Sequence, residues 1–296
     1  MNGLLHDMSW AVAIRHEALT PIFLGFTWLG YSTFFLIALP AAYWAWDKNK
    51  ITRIALIVFA SAILNAYLKD LWQNPRPDIA FWLDPHMDDS FGMPSGHTQV
   101  GIVMWFWLAY EIRKSWAWVA AAIIAGGISF SRLYLGVHDV EDVVVGAALA
   151  VATLFAYRWT FSAQFNWWRA LPFVARFGGL TTLLIAVMMI WPGNAGNNGA
   201  LMGIFLAWYG AAELDRDMIR YAPGPGWWRR IVAVIIGVTG VVLLFRALSH
   251  LQEAIAPGSV GLAAINGGII GAMVVALLPM LFQLFLLARR EPANMA

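Results

Sequence analysis

The sequence predicts an all-α protein, a polytopic transmembrane helical bundle of about nine spans. Three observations predict it. Hydrophobic residues make up 60% of the 296-residue chain and charged residues only 12%, about half the charged share of a soluble domain. Apolar runs of about 20 residues recur, the length a helix needs to cross a hydrocarbon core about 30 Å thick. Many of the 17 tryptophans, among them Trp72, Trp116, Trp159, Trp191, Trp227 and Trp228, stand near the ends of those runs, where an amphipathic ring anchors at the interface.

In chain order, residues 1–20 mix His6, Asp7, Arg15, His16 and Glu17 with apolar positions. They read as an amphipathic segment on the membrane surface rather than a signal peptide. Spans are expected over 21–46, 51–71, 98–112, 116–135, 140–159, 176–191, 198–213, 231–248 and 260–288. The third and seventh are short and need a turn from their flanks. Residues 221–228 (YAPGPGWW) form a turn-rich connection. Residues 21–160 are the expected core of five spans, and 176–290 an additional bundle of four. In the latter, Gly267, Gly268 and Gly271 permit close helix approach, which opens the option of a homodimer.

Basic residues orient the bundle. Of the 19 lysines and arginines, those at 48, 50, 53, 113, 114, 158, 169, 176, 216, 220, 229, 230, 289 and 290 fall on alternate connections. Nine spans with the N-terminus outside and the C-terminus inside fit that split, which puts the ends rich in other polar residues on the extracytoplasmic face. The chain has no cysteine, so disulfides and thiol chemistry are excluded. The formal net charge of +2 says little about partners, and the basic stripe that nucleic-acid binding calls for does not appear in the sequence, so no nucleic-acid partner is expected. Short loops point to a bacterial inner membrane as the location.

Three polar strings interrupt this apolar chain, at 69–77 (KDLWQNPRP), 94–97 (PSGH) and 131–142 (SRLYLGVHDVED). All are expected on one membrane face, and ionisable groups in such surroundings mark a functional site. Ser95, Gly96 and His97 precede an apolar span, at a helix N-terminus whose free N–H groups and dipole favour an anion. Gly96 lets backbone approach a phosphate, Ser95 offers a hydroxyl, and His97 is placed to act as a general acid. His138 and Asp142 are four apart, on one helix face. The carboxylate can then fix the imidazole tautomer and leave the other ring nitrogen as a nucleophile. Lys69, Arg76 and Arg132 would clamp phosphoryl oxygens, the arginines by their planar forks. Between the first two strings, Phe81 and Trp82 suit an interfacial lipid entrance. Asp84, His86, Asp88 and Asp89 there are read as solvated rather than as a cation site.

The spacing Lys-x6-Arg-Pro, Pro-Ser-Gly-His and Ser-Arg-x5-His-x3-Asp, in that order, resembles the type 2 phosphatidic acid phosphatase family. Every defining position is filled, by Lys69, Arg76, Pro77, Pro94, Ser95, Gly96, His97, Ser131, Arg132, His138 and Asp142. The resemblance implies an integral-membrane hydrolase of phospholipid metabolism, a lipid phosphatase that uses no metal and no organic cofactor. It implies that His138 attacks phosphorus to give a phosphohistidine while Asp142 orients it. His97 would serve as acid and then base, with Lys69, Arg76, Ser95, Gly96 and Arg132 binding the phosphate. The implied partners are a lipid phosphate monoester or pyrophosphate and the bilayer. Two other readings stay open: a lipid phosphotransferase with the same site, and a transporter that binds lipid phosphate without cleaving it.

Overall fold

The computed structural model describes residues 5–86, 90–193, 195–196 and 198–292. Its first helices are α1 (Ser9–Ala13), α2 (Thr20–Trp28), α3 (Ser32–Ala45), α4 (Lys48–Trp72), α5 (Gly96–Ile112), α6 (Ser115–Tyr134) and α7 (Val140–Trp159). They are followed by α8 (Asn166–Ala170), α9 (Phe173–Met189), α10 (Asn198–Leu214), α11 (Trp227–Ile255), α12 (Val260–Ala272) and α13 (Leu278–Leu284). A short antiparallel pair joins β1 (Tyr221–Pro223) to β2 (Ala288–Arg290).

Among the described residues, 5 helices are long and apolar enough to cross a membrane, or up to 7 if each bent pair counts as one span. The expected first span is one such pair, α2 and α3, which meet at 55°. The expected sixth lies in another, where the α8 segment and α9 meet at 103°. Helices α5 and α10 have 17 residues each, about 25 Å of rise, short of a full hydrocarbon core. These are the two expected to be short, and the count of nine stays an expectation.

The chain forms two compact units that do not follow sequence order. One comprises Met1–Phe35 and Ala60–Ser162, the other Leu36–Phe59 and Ala163–Ala296. In the first unit, Tyr134, Leu135 and Val137 form a buried cluster against Phe23, Leu24, Trp82 and Phe130. That cluster anchors the turn between α6 and α7. The N-terminal segment packs on the same place, because its polar groups find acceptors there. Arg15 Nε donates to Tyr134 O (3.0 Å) and Nη2 to Phe81 O (2.6 Å), and His16 N donates to the Tyr134 hydroxyl (2.9 Å).

In the second unit, Lys48 Nζ is buried between Asp215 Oδ2 (2.7 Å) and Glu291 Oε2 (2.9 Å). Trp44 Nε1 donates to Val274 O at 2.9 Å, and the Tyr221 hydroxyl to Trp44 O at 2.8 Å. Helices α10 and α12 pack closely through glycines. A Cβ on Gly271 would lie 2.9 Å from Ala207 Cβ, and one on Gly267 would run into Ala200 O. Two of the three glycines considered for a second copy are therefore used within this unit, while a Cβ on Gly268 would meet nothing within 4 Å among the described residues.

Candidate active site

The third polar string is a helix–turn–helix junction. α6 ends at Tyr134, and Gly136 turns the chain at φ +74°, with no room for a Cβ beside Phe81 O. Asp139 then caps α7, its Oδ1 accepting from Asp142 N at 2.9 Å. This cap places His138 Nδ1 2.8 Å from Asp142 Oδ2, both side chains all but excluded from solvent. On the other side of the ring, Nε2 faces Arg76 Nη1 at 3.0 Å. A guanidinium can only donate, so Nε2 is the acceptor and the proton sits on Nδ1, directed at Asp142. Burial, and after it the positive charges of Arg76 and Lys69, hold the His138 pKa well below its ordinary value. The ring is neutral near pH 7.

The first string reaches this histidine from the end of α4. Besides His138, Arg76 donates to Val137 O through Nη1 (3.0 Å), to Ser90 O through Nε (2.6 Å) and to Ser90 Oγ through Nη2 (2.8 Å). Lys69 Nζ donates to Gly92 O at 3.1 Å and to Phe91 O. Both cations thus hold segment 90–92, which leads into the second string. Gly92 lies close under the carboxylate: a Cβ there would be 2.9 Å from Asp142 Oδ2.

The second string opens α5. Ser95 is fully buried, and its N–H donates to Asp142 O at 3.0 Å. Its hydroxyl does not cap the helix. Ser95 Oγ, His97 Nε2, Thr98 Oγ1 and Asp142 Oδ1 are buried polar atoms that find no hydrogen-bond partner among the described residues. Buried groups of this kind are rare in native proteins, and here they cluster around His138 and Asp142. Asn65 supports the turn from α4, donating to Pro94 O (3.1 Å) and Gln99 Oε1 (2.9 Å). A Cβ on Gly96 would stand 2.9 Å from Asn65 Oδ1.

Arg132, in the last turn of α6, is fully buried. Its Nη1 donates to Asp84 Oδ2 (2.7 Å) and to Thr27 Oγ1, and its carbonyl accepts from Val137 N (3.2 Å) and His138 N (3.3 Å). Ser131, a motif position, turns back to its own helix, donating to Ile128 O at 2.6 Å.

All eight residues expected from the sequence, Lys69, Arg76, Ser95, Gly96, His97, Arg132, His138 and Asp142, lie in the first unit. Arg76, His138, Asp142 and Ser95 are joined by direct bonds, Lys69 through segment 90–92, and Arg132 through the turn at 137–138. Sequence reasoning missed Ser90, Asn65 and Gln99 as supports. Asn65 carried a signal, being a polar residue deep in an apolar helix. Of the acidic loop, Asp84 is a buried ion-pair partner and not a solvated group, because Arg132 needs a counter-charge. Asp88 and Asp89 lie outside the described residues.

Residues 50–167 match the family model described as PAP2 superfamily, and residues 195–290 match the PAP2 superfamily phosphatase, transmembrane extension. Phosphatidylglycerophosphatase B of Bacillus subtilis is 32% identical over 49% of this chain and 76% of its own. Lipid A 4'-phosphatase of Bacteroides thetaiotaomicron is 29% identical over 40% of this chain and 57% of its own, less than two thirds of that relative. The crystal structure of the transmembrane PAP2-type phosphatidylglycerolphosphate phosphatase from Bacillus subtilis superposes with a TM-score of 0.43 at 28% identity. It covers 56% of this chain and 85% of that one. The phosphatase relatives support a lipid phosphatase, a hydrolase, as the enzyme class. With one model matched in the middle of the chain, its extension matched beyond it, and three quarters of a 32% identical relative covered, the chain belongs to the PAP2 superfamily.

Proposed function

We propose that this site hydrolyses a lipid phosphate monoester or pyrophosphate through a phosphohistidine on His138. The observation that carries the reading is the double engagement of that ring, by Asp142 on Nδ1 and by Arg76 on Nε2. Asp142 fixes the tautomer whose lone pair lies on Nε2. A phosphoryl group entering beside Arg76 takes over the guanidinium and frees that lone pair for attack.

In the first step an Nε2–P bond forms and the P–O bond to the lipid breaks. The electron pair leaves with the lipid oxygen, which takes a proton from His97. In the second step His97 takes a proton from water, the water oxygen bonds to phosphorus, and the N–P bond breaks to return neutral His138. Lys69, Arg76, Ser95, the Gly96 backbone and Arg132 hold the phosphoryl oxygens, most strongly as charge spreads over them in the transition state. Residues 21–160 carry the chemistry, and 176–290 are a further membrane bundle. The site opens on the extracytoplasmic face of a bacterial inner membrane.

The test is inorganic phosphate release by the detergent-purified chain in the presence of EDTA. The panel contains phosphatidylglycerol phosphate, phosphatidic acid, lipid A, a sphingoid phosphate and a polyprenyl pyrophosphate. Release that persists in EDTA and disappears in His138→Ala supports the reading. Activity retained by His138→Ala sinks it, and label moved to a second lipid without free phosphate would assign a phosphotransferase.

A further inference from the structure

Asp84 lies outside all three motifs, yet it is the carboxylate that meets Arg132. The pair is 2.7 Å apart with both side chains at 0% exposure. The other oxygen, Oδ1, accepts from the Tyr31 hydroxyl and from His86 N (3.1 Å). Burial alone would raise the pKa of Asp84. The Tyr31 hydrogen bond and the Arg132 charge outweigh it and hold the carboxyl below its ordinary value, so it stays ionised. A carboxylate bound on both oxygens is a fixed group and not a mobile competitor.

Its effect on Arg132 follows from the shape of a guanidinium. The group is planar and presents five N–H donors in a rigid fork. Asp84 and Thr27 both take Nη1. Two acceptors on one nitrogen fix the plane, and with it the direction of the other N–H groups. Tyr31 extends the arrangement to the second histidine. Its ring stands edge-on to His97, with centroids 4.7 Å apart and planes at 81°. The chain can come this close because residue 30 is glycine: a Cβ there would lie 2.8 Å from His97 Cδ2.

We propose that Asp84 and Tyr31 are positioning residues: Asp84 sets the plane of Arg132, and Tyr31 ties that pair to His97, so that phosphate cradle and proton donor are aligned together. The inference rests on the proposed role of Arg132 in binding phosphate.

Orthovanadate, a mimic of five-coordinate phosphorus, is the probe. Its affinity for the purified full chain is measured by calorimetric titration, beside phosphate release and thermal unfolding. The variants are Asp84→Asn, Asp84→Glu, Tyr31→Phe and Arg132→Gln. Asp84→Asn is expected to weaken vanadate about tenfold or more, since it leaves a buried charge uncompensated, with kcat falling in step. Asp84→Glu should recover part of the loss. Tyr31→Phe, which keeps the ring against His97 and loses one hydrogen bond, should weaken vanadate about threefold with unchanged melting. A lower melting temperature with unchanged vanadate affinity in folded Asp84→Asn overturns the proposal, and so does tighter binding, the mark of a competitor. If Asp84→Asn does not fold, Tyr31→Phe decides: unchanged affinity and kcat overturn it. Arg132→Gln separates the two readings. Unchanged affinity there removes Arg132 from phosphate binding. Loss there, with none in the Asp84 variants, overturns only the positioning role.

Discussion

His138 and Asp142 share a 2.8 Å bond between Nδ1 and Oδ2 at the point where α7 begins. The cap that starts the helix therefore also sets the geometry of the pair, since Asp139 holds Asp142 N while its neighbour His138 stays outside the helix. Asp142→Asn keeps the shape and loses the charge that fixes the tautomer. The expected result is a fall in kcat of about 10³-fold or more, by analogy with an orienting carboxylate in a triad, with circular dichroism and melting unchanged. A loss below tenfold, measured as phosphate release, would reduce Asp142 to a structural partner.

The low pKa of His138 gives a pH dependence with a definite sign. A nucleophilic imidazole must be neutral, and a depressed pKa means that it stays neutral as pH falls past its ordinary value of 6.5. The histidine ring signals of the chain, followed by NMR, should show one imidazole absent from Asp142-intact His138→Gln that does not protonate until below that value. Protonation of that ring at or above it would contradict the electrostatics described for the site.

Gly92→Ala tests how tightly the segment before the second string fits. The added methyl would stand 2.9 Å from Asp142 Oδ2 and 3.1 Å from Pro75 O, closer than carbon and oxygen approach without one of them moving. The carboxylate is the movable group, so the bond to His138 is what suffers. A shift of the carboxylate by about 1 Å would cost about 10²-fold in rate. It should appear mainly in kcat, because the clash falls on the Asp142 carboxylate and on Pro75 O rather than on the side chains proposed to hold phosphate. An unaltered kcat would show that the loop yields instead.

The sequence carried the part of this site that local spacing can encode. Four residues bring His138 and Asp142 to one helix face, and the Pro-Ser-Gly-His string announces the start of α5. Pairing over long separations was not legible. Asp84 read as one of several loop carboxylates, and only the folded chain shows that it answers the buried charge of Arg132. Lys48 read as an orienting charge at a membrane edge, whereas it is buried between Asp215 and Glu291. The bend near Gly30 was equally hidden, because Trp28, Leu29 and Tyr31 continue the apolar run and hydropathy does not register a change of direction. That bend is what delivers Tyr31 to His97.

The absence of cysteine makes the orientation directly testable. Ile79, 73% exposed beside the first string, and Lys114, exposed between α5 and α6, belong to opposite faces in the proposed topology. In intact cells a membrane-impermeant maleimide should label Ile79→Cys, and should label Lys114→Cys only after permeabilisation. The reverse pattern would place the site on the cytoplasmic face and require the substrate phosphate there.

Gly271→Leu and Gly268→Ala separate internal packing in the second unit from any role of α12 towards another copy. A Cβ on Gly271 would stand 2.9 Å from Ala207 Cβ and 3.0 Å from Ile204 O, whereas one on Gly268 would meet nothing within 4 Å among the described residues. A large side chain at 271 has to push α10 away, and overpacking of this kind costs about 1–3 kcal/mol. A methyl at 268 meets no obstacle and favours the helix by up to about 1 kcal/mol. The melting temperature in detergent should therefore fall for Gly271→Leu and hold or rise slightly for Gly268→Ala. Phosphate release per folded molecule should change little in either. If Gly268→Ala instead lowers stability in a way that depends on protein concentration, the open face of α12 is in contact with a second chain.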